Sequence, residues 1–337
     1  MTVLPWEISA RRAGQLAPAG PSGTRASLRG VVASLRRAAA SAPELVAGIT
    51  GLHHAARIAA SYPVYVVDRA RWSEANAELF ATIAQPALAL ENRLQARLAA
   101  EETGALLSVL STRVLGQFDP YMSDGRLLLV APNVVQIERQ LDLDVMDFRL
   151  WVCLHEQTHA VQFAAAPWLS EHLLGRIQAV TSSIGNVDSG PSRVKSAVGA
   201  ITDLVRGKDG AGSLLDALLT EEEREEMDAL VAIMSLLEGH ADVVMDEVGP
   251  ARIPSVRRIR AAFERRRDGV GLLDTVVRRV TGMSEKLNQY RDGAAFVRGV
   301  VGQVGHEGLN AVWAAPENLP QPDEIHQPGR WVTRVHG

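Results

Sequence analysis

The stretch LWVCLHEQTHAVQF, residues 150–163, determines both the central helix and the functional site that this sequence predicts. His155 and His159 are four residues apart, and Glu156 follows the first of them. Four residues turn an α-helix through about 400°, so both imidazoles lie on one helix face and can reach one ion. Glu156 is rotated by about 100° from His155, which directs its carboxylate toward a water molecule on that ion.

The residues around this motif are mostly apolar, which predicts a buried helix. Two imidazoles and a carboxylate in such a helix are costly unless they have partners. A bound metal provides those partners, so the pattern favours a zinc site with one Zn²⁺ per chain. Histidines that are satisfied within the core are the alternative interpretation. The apolar positions are Leu150, Val152, Leu154, Ala160, Val161 and Phe163.

A third zinc ligand is expected from a second helix, because catalytic zinc usually has three protein ligands and a water. The stretch MSLLEGHADVVMD, residues 234–246, is apolar around most of its circumference yet carries Glu238 and Asp242, one turn apart. Glu238 is the candidate ligand, and Asp242 the carboxylate that accepts the free N–H of a zinc histidine. A buried salt bridge to an arginine is the alternative. His240 points away from both, and either reaches the cleft from the flank or packs in the core.

Helical periodicity dominates the rest of the chain. It predicts three further long helices, at residues 24–51, 69–102 and 221–249. The second is expected to have its cap near Ser73-Glu74-Ala75-Asn76 and to be kinked or split at Pro86. Residues 181–212 are rich in Gly, Ser and Asp and are expected to include a loop.

Two stretches favour β-structure. Residues 62–72 begin with a β-branched run that predicts a short strand or an extended connection, and residues 125–138 give the clearest strand signal. The sequence therefore predicts a helix-dominated α+β fold with one small sheet. We expect an N-terminal helical region, residues 1–102, to pack on a core formed by residues 103–337.

Composition limits the possible partners. The 337 residues are 47% hydrophobic and 22% charged, with a net charge of −4, which is typical of a soluble globular protein. A nucleic-acid partner would need a concentrated basic face, and the one basic run, residues 257–267, predicts a solvated helix face instead. No stretch reaches the length of about 18 apolar residues that a membrane span requires.

Cysteine usage and the N-terminus bear on the compartment. Cys153 is the only cysteine, so an internal disulfide and a cysteine-based zinc site are excluded, and the residue is expected to pack as a small hydrophobe. The N-terminal residues lack the apolar segment of a signal peptide. The expected location is cytoplasmic, without a membrane partner.

The motif His155-Glu156-Gln157-Thr158-His159, together with Glu238-Gly239-His240-Ala241-Asp242, resembles the gluzincin branch of zinc metallopeptidases. In that branch the third ligand is a glutamate, and an aspartate four residues later orients a zinc histidine. More narrowly, the two helices and the stretch QYRDGAAFVRGVVGQVGHEGLNAVW, residues 289–313, resemble the bacterial type 2 zincin-like metallopeptidases. Members of that family have been described as hydrolases or as proteins associated with the biosynthesis of a deazaflavin coenzyme.

This resemblance implies a zincin-like core in which His155, His159 and Glu238 hold zinc, with Asp242 behind a ligand histidine. It implies that Glu156 is the general base for a zinc-bound water and that the activity is cleavage of a peptide bond in a peptide or protein substrate. One departure is the spacing: Glu238 follows His159 by 79 residues, which is longer than gluzincins usually have. The loop expected within residues 181–212 absorbs that length.

Several further residues are candidates for supporting roles. An oxyanion needs a donor beside the zinc, and Tyr290 is the first candidate, followed by His240 and His306. The apolar strand at residues 126–131, with the adjacent Asn133, is a candidate edge to which an extended substrate adds as a further strand.

Two alternatives to an active peptidase remain. One is a zinc-dependent regulatory or peptide-binding protein with little turnover on the same scaffold, although an intact Glu156 favours the enzyme. The other is an accessory protein of cofactor biosynthesis, which rests on the naming of relatives alone. The sequence has no Gly-rich phosphate loop followed by a helix that would bind a flavin.

Overall fold

The structure is a computed structural model that describes residues 2–84, 89–90, 93–122, 125–184, 220–267 and 292–337. Within these ranges the helices are α1 (Trp6–Leu16), α2 (Arg25–Thr50), α3 (His53–Ala59), α4 (Arg69–Ala84), α5 (Arg93–Leu110), α6 (Ala131–Gln140), α7 (Val145–Ala165), α8 (Leu169–Ile184), α9 (Glu221–Glu247), α10 (Val256–Arg267), α11 (Asp292–Leu309) and α12 (Pro328–His336). The strands are β1 (Thr2–Val3), β2 (Val64–Val67), β3 (Ala89–Leu90), β4 (Gly116–Asp119) and β5 (Arg126–Val130). Two 3-10 helices, Asn310–Trp313 and Pro316–Asn318, lie between α11 and α12.

The main sheet has three strands in the order β2-β5-β4. β2 is parallel to β5, and β4 is antiparallel to it. β5 is therefore the central strand, and Leu127, Leu129 and Val130 on it are fully buried. β1 and β3 form a separate antiparallel ladder of two residues each. The prediction of a helix-dominated α+β fold with a small sheet is confirmed.

The strand signal within residues 125–138, placed at residues 126–131, corresponds to β5 at Arg126–Val130. β5 ends at Val130 and α6 begins at the next residue, with Pro132 in its first turn. A proline is well accommodated there, because the first amides of a helix have no partner within the helix. Pro132 therefore lies where the strand gives way to a helix.

α4 begins where the helix predicted over residues 69–102 begins, but its cap is not near Ser73-Glu74-Ala75-Asn76. The helix begins at Arg69, and the carboxylate of Asp68 accepts the backbone N–H of Arg71 at 2.8 Å, as a capping residue does. Ser73 lies inside the helix, where its hydroxyl donates to the carbonyl of Arg69. Pro86, where a kink or break was expected, lies outside the described residues.

α7 carries the His-Glu-x-x-His motif. Asp144 caps it by accepting the backbone N–H groups of Met146 and Asp147, each at 3.0 Å. The helix packs on α2, α3 and α9 and contributes to the largest hydrophobic core. Each fully buried aliphatic side chain in such a core contributes about 1.5–3 kcal/mol relative to an exposed one. The site helix is therefore also the main core helix.

Cys153 lies on the buried side of α7 and packs as the sequence predicted. Its side chain is fully buried and its Sγ is 3.7 Å from the carbonyl of Leu35 on α2. Burial, and then the charge of Glu156, raise the pKa of the Cys153 thiol far above its ordinary value. A thiol in this environment is a packing group.

The N-terminal part of the chain is joined to the rest through the sheet. α1, α4 and α5 pack against one another, whereas α2 lies along α7 and β2 pairs with β5. Residues before position 102 thus contribute to the same sheet and core as residues after it. The division into residues 1–102 and 103–337 stays a prediction.

Two features bear on the expected partners. The basic run of residues 257–267 lies on α10, whose Arg258 is exposed while Ile259 and Ala262 face the core, as expected for a solvated face on a packed helix. None of the helices in the described ranges is both long enough and apolar enough to cross a membrane.

Candidate metal centre

Two helices bring the predicted metal ligands together. α7 supplies His155 and His159, and α9 supplies Glu238. α9 begins with a capping box, in which the Thr220 hydroxyl accepts the N–H of Glu223 while the Glu223 carboxylate accepts the N–H of Thr220. The capping box provides hydrogen-bond partners for the first turn of α9. Apolar residues on several faces of this helix pack it into the core beside α7.

The three candidate ligand atoms converge on one point. The Nε2 atoms of His155 and His159 are 3.3 Å apart. The carboxylate of Glu238 lies 3.6 Å from the first of these atoms and 3.5 Å from the second. These atoms all lie within 4.8 Å of one another, and the described part of the chain has no other such group of three. Two imidazole nitrogens and a carboxylate oxygen are the ligand set of a catalytic zinc with an open position, so the residues fit this metal.

The site is buried on one side and open on the other. His159 and Glu156 are buried, whereas the side chains of His155 and Glu238 keep 25% and 29% of their exposure. The site is therefore accessible along parts of the His155 and Glu238 side chains, although Oε1 of Glu238 is itself buried. A site that is to bind a substrate needs such an opening.

Glu156 lies beside the ligands in an environment that disfavours its charge. Burial, and then the charge of Glu238, hold the pKa of the Glu156 carboxyl well above its ordinary value. A cation bound by the neighbouring ligands would offset both effects and favour the carboxylate. Strand β4 approaches this side chain closely, and Gly116 at its start leaves the space that Glu156 fills.

Gln162 is a residue at this site that the sequence analysis did not single out. Its Oε1 is 2.9 Å from Nδ1 of His159. Its Nε2 donates to the backbone carbonyl of Leu237 at 2.9 Å and lies 3.0 Å from Nδ1 of His240. The sequence does contain a signal for this residue, namely a glutamine one turn after a candidate ligand histidine in an apolar helix. The glutamine is fully buried in the structure, and buried polar groups need hydrogen-bond partners.

His240 packs in the core, which was one of the two interpretations left open. It is fully buried, and its ring centroid lies 5.5 Å from that of Trp313. Burial, followed by the nearby His306 and His159, lowers the pKa of His240 to about 3, so its imidazole is neutral. This neutral, buried imidazole packs on the buried side of the site.

Asp242 forms the arginine salt bridge that was the alternative for this helix. Its Oδ1 is 3.2 Å from Nη1 of Arg260, and its backbone carbonyl accepts a second bond from the same guanidinium at 3.0 Å. Nδ1 of His155 lies 3.2 Å from Sδ of Met245, one turn further along α9. The role of Asp242 in orienting a zinc histidine stays a prediction.

Gly239, next to Glu238, lies where α9 crosses α11. A Cβ on Gly239 would collide with the backbone carbonyl group of Gly293, and one on Gly293 would collide with the carbonyl of Ser235. The two helices therefore meet backbone to backbone. This crossing fixes the position of α9 at the residue that follows the third candidate ligand.

The other residues predicted for the site, His306 and Asn133, form hydrogen bonds away from the three candidate ligands. Nε2 of His306 lies 2.8 Å from the carboxylate of Glu247. Asn133 is buried in the first turn of α6, where it accepts from Arg69 at 2.7 Å and donates to the carbonyls of Ser111 and Val114. Its bonds hold three segments of the chain together, and the structure does not bring it to the metal ligands. Tyr290 lies outside the described residues.

The candidate substrate edge at residues 126–131 is wrong. These residues form β5, whose two sides are occupied by β2 and β4. β2 and β4 are the two edge strands of this sheet, and β4 is the one whose Gly116 lies against Glu156 of α7. The edge strand next to the site is therefore β4.

Comparisons with known proteins identify the family of this chain. Residues 4–332 match the zincin-like metallopeptidase family. The chain is similar to a candidate hydrolase with a novel fold from Chloroflexus aurantiacus, whose crystal structure is known. The two sequences are 31% identical, the match covers 98% of each chain, and the two structures superpose with a TM-score of 0.67. Curated proteins give no significant match.

The match to the family model defines the class of the protein as zincin-like. With a match over nearly its whole length, the chain belongs to the zincin-like metallopeptidase family. Membership supports hydrolase activity and implies a metal, typically zinc, for which His155, His159 and Glu238 form a possible site.

Proposed function

We propose that this protein is a zinc-dependent hydrolase that cleaves peptide bonds. The observation that supports this most directly is the convergence of His155, His159 and Glu238, with Glu156 beside them on the same helix. Three ligands make a site that can hold a metal and leave a position for water or substrate. A purely structural zinc site would have no use for a buried carboxyl group next to it.

His155, His159 and Glu238 would hold the zinc ion. When bound there, zinc polarises a carbonyl group and lowers the pKa of water. Glu156 takes a proton from the attacking water and delivers it to the leaving amine.

The substrate is a peptide in an extended conformation that adds to the edge strand β4. This strand has β5 on one side, and its first residue, Gly116, lies against Glu156. Backbone hydrogen bonds along a strand edge hold a peptide without regard to most of its side chains. A peptide in that place would carry one of its carbonyl groups past the general base. A cytoplasmic location and the absence of nucleic-acid partners stay predictions.

The test is metal analysis combined with a peptide-library assay, with and without a chelator. Bound zinc together with cleavage that the chelator abolishes and added zinc restores is the expected result. Stoichiometric zinc with no cleavage at any pH would refute the peptidase and favour a regulatory or peptide-binding protein on the same scaffold.

A further inference from the structure

We propose that Gln162 is a positioning residue of the metal centre. Its side-chain amide holds His159 in the tautomer that zinc requires, and it also fixes the position of α9 at the residue next to Glu238. This inference rests on the proposed zinc site. It differs from the role predicted for Asp242, because the partner is an amide on the ligand helix itself. The three contacts of one buried side chain carry it.

The hydrogen bonds around Gln162 can run in only one direction. The carbonyl of Leu237 can only accept, so the NH₂ group of Gln162 must face it, at 2.9 Å. The Oε1 atom of Gln162 then faces Nδ1 of His159 at 2.9 Å and can only accept. His159 must therefore carry its proton on Nδ1, which leaves the lone pair on Nε2. Nε2 is the atom that faces His155 and Glu238.

The same amide links the two ligand helices. Leu237 directly precedes Glu238, so the bond from Gln162 on α7 holds α9 at the residue next to the third ligand. The second N–H of the amide points to Nδ1 of His240 at 3.0 Å. All polar groups of Gln162 are thus used, and its side chain is fully buried. Removing the amide would affect His159 and Glu238 together, since one group contacts the first and the neighbour of the second.

Gln157 provides a matched control on the same helix. It is also a buried glutamine, with 2% of its surface exposed, and its Nε2 donates to the backbone carbonyl of Ala39 at 3.2 Å. Ala39 belongs to α2, which supplies none of the candidate ligands. Replacing either glutamine with methionine removes one buried amide from α7 and keeps a side chain of similar size.

The first experiment compares Gln162→Met and Gln157→Met. The zinc dissociation constant is measured by competition with a chromophoric chelator, and the thermal stability of each metal-free variant is measured separately. Loss of a group that orients a ligand typically weakens metal binding about 10- to 100-fold. We expect that loss in Gln162→Met alone, while both variants lower the melting temperature of the metal-free protein. Equal zinc affinities in the two variants would overturn the proposal.

The second experiment needs no folded variant at position 162. Long-range ¹H–¹⁵N spectra of the metal-free wild-type protein, labelled at histidine, report which ring nitrogen carries the proton, and a His159→Asn sample assigns the signal. The expected signal is that of the Nδ1–H tautomer, and an Nε2–H signal for His159 would refute the proposal. Both experiments are independent of peptide cleavage. A protein that binds zinc and cleaves nothing would overturn the proposed function and leave this inference standing.

Discussion

Gly116 lies directly against the carboxyl group of Glu156: a Cβ built on the glycine would be 2.6 Å from Cγ and 2.9 Å from Oε1 of that side chain. Real Cβ atoms do not approach other atoms so closely, so any larger residue at position 116 must displace Glu156 or the strand. The first residue of β4 therefore determines where the candidate general base can lie. This relationship joins the edge strand to the chemistry of the site.

Gly116→Ala is expected to lower kcat/KM by about 100-fold, because a shift of the base by about 1 Å can cost that much. Zinc content should stay near one per chain, since contacts other than the one with Gly116 hold the candidate ligands in place. The control is Gly48→Ala on α2, where a Cβ meets no atom within 4 Å. Wild-type kcat/KM in the Gly116→Ala variant would contradict the close positioning.

Glu156→Gln is expected to abolish hydrolysis and to leave zinc binding intact. The amide keeps the shape of the side chain but cannot take up a proton from water. Metal analysis and the peptide assay on the same preparation measure both quantities. If the variant cleaved peptides at the wild-type rate, Glu156 would not be the general base.

Glu238→Gln is expected to lower zinc affinity and to remove most of the rise in melting temperature that zinc gives. Ligand binding stabilises the folded state by about 2.7 kcal/mol when the ligand concentration is 100 times Kd, and this gain falls as Kd rises. Glu226→Gln is the control on the same helix, because Glu226 pairs with Arg176 at 2.7 Å. Similar zinc-dependent shifts in the two variants would remove Glu238 from the ligand set.

Glu324→Gln tests an ion pair near the C-terminus. Burial alone would raise the pKa of Glu324, but hydrogen bonds from Arg334 and from the backbone of Gln321 together hold it below its ordinary value of 4.5. The pair therefore stabilises the folded state above that pH, and this contribution is lost as the pH falls through the lowered pKa.

The free energy of unfolding of Glu324→Gln should be about 1–3 kcal/mol below that of the wild type at pH 7. Urea titrations at a series of pH values should show this difference shrinking below pH 4.5. A difference that stayed constant down to pH 3 would show that the charge of Glu324 is not its source.

Cys153 is expected to be unreactive toward thiol reagents in the folded protein. Its thiol is fully buried and burial raises its pKa, so neither access nor thiolate is available. Labelling should appear only in step with unfolding as urea is added, as followed by mass spectrometry. Rapid labelling of the native protein would show that α7 and α2 separate locally.

The parts of the site that the sequence predicted are those fixed by local geometry. His155, Glu156 and His159 share one helix, so their relative directions follow from the helical repeat once the helix is recognised. α9 was recognisable for the same reason, since its acidic start and apolar body mark its bounds within two residues. Glu238 was identified because a carboxyl group is unusual in an otherwise apolar helix.

The rest depends on contacts between distant segments. The order of the sheet follows from the pairing of residues 64–67 with 127–130, and nothing within residues 126–131 shows that both sides of that strand are occupied. The role of Gln162 depends on a carbonyl of α9, 75 residues further along the chain. Arg260 likewise reaches Asp242 from another helix. Such partners are visible only when the helices are placed together.

The crossing of α9 and α11 at Gly239 and Gly293 has a mechanical consequence. With no side chains between the two backbones, any residue larger than glycine at either position would force the helices apart. α11 also packs on the C-terminal α12, where Phe296 meets Trp331 edge to face at 6.0 Å. α12 is therefore connected to the helix of Glu238 through two direct contacts, Trp331 with Phe296 and Gly293 with Gly239.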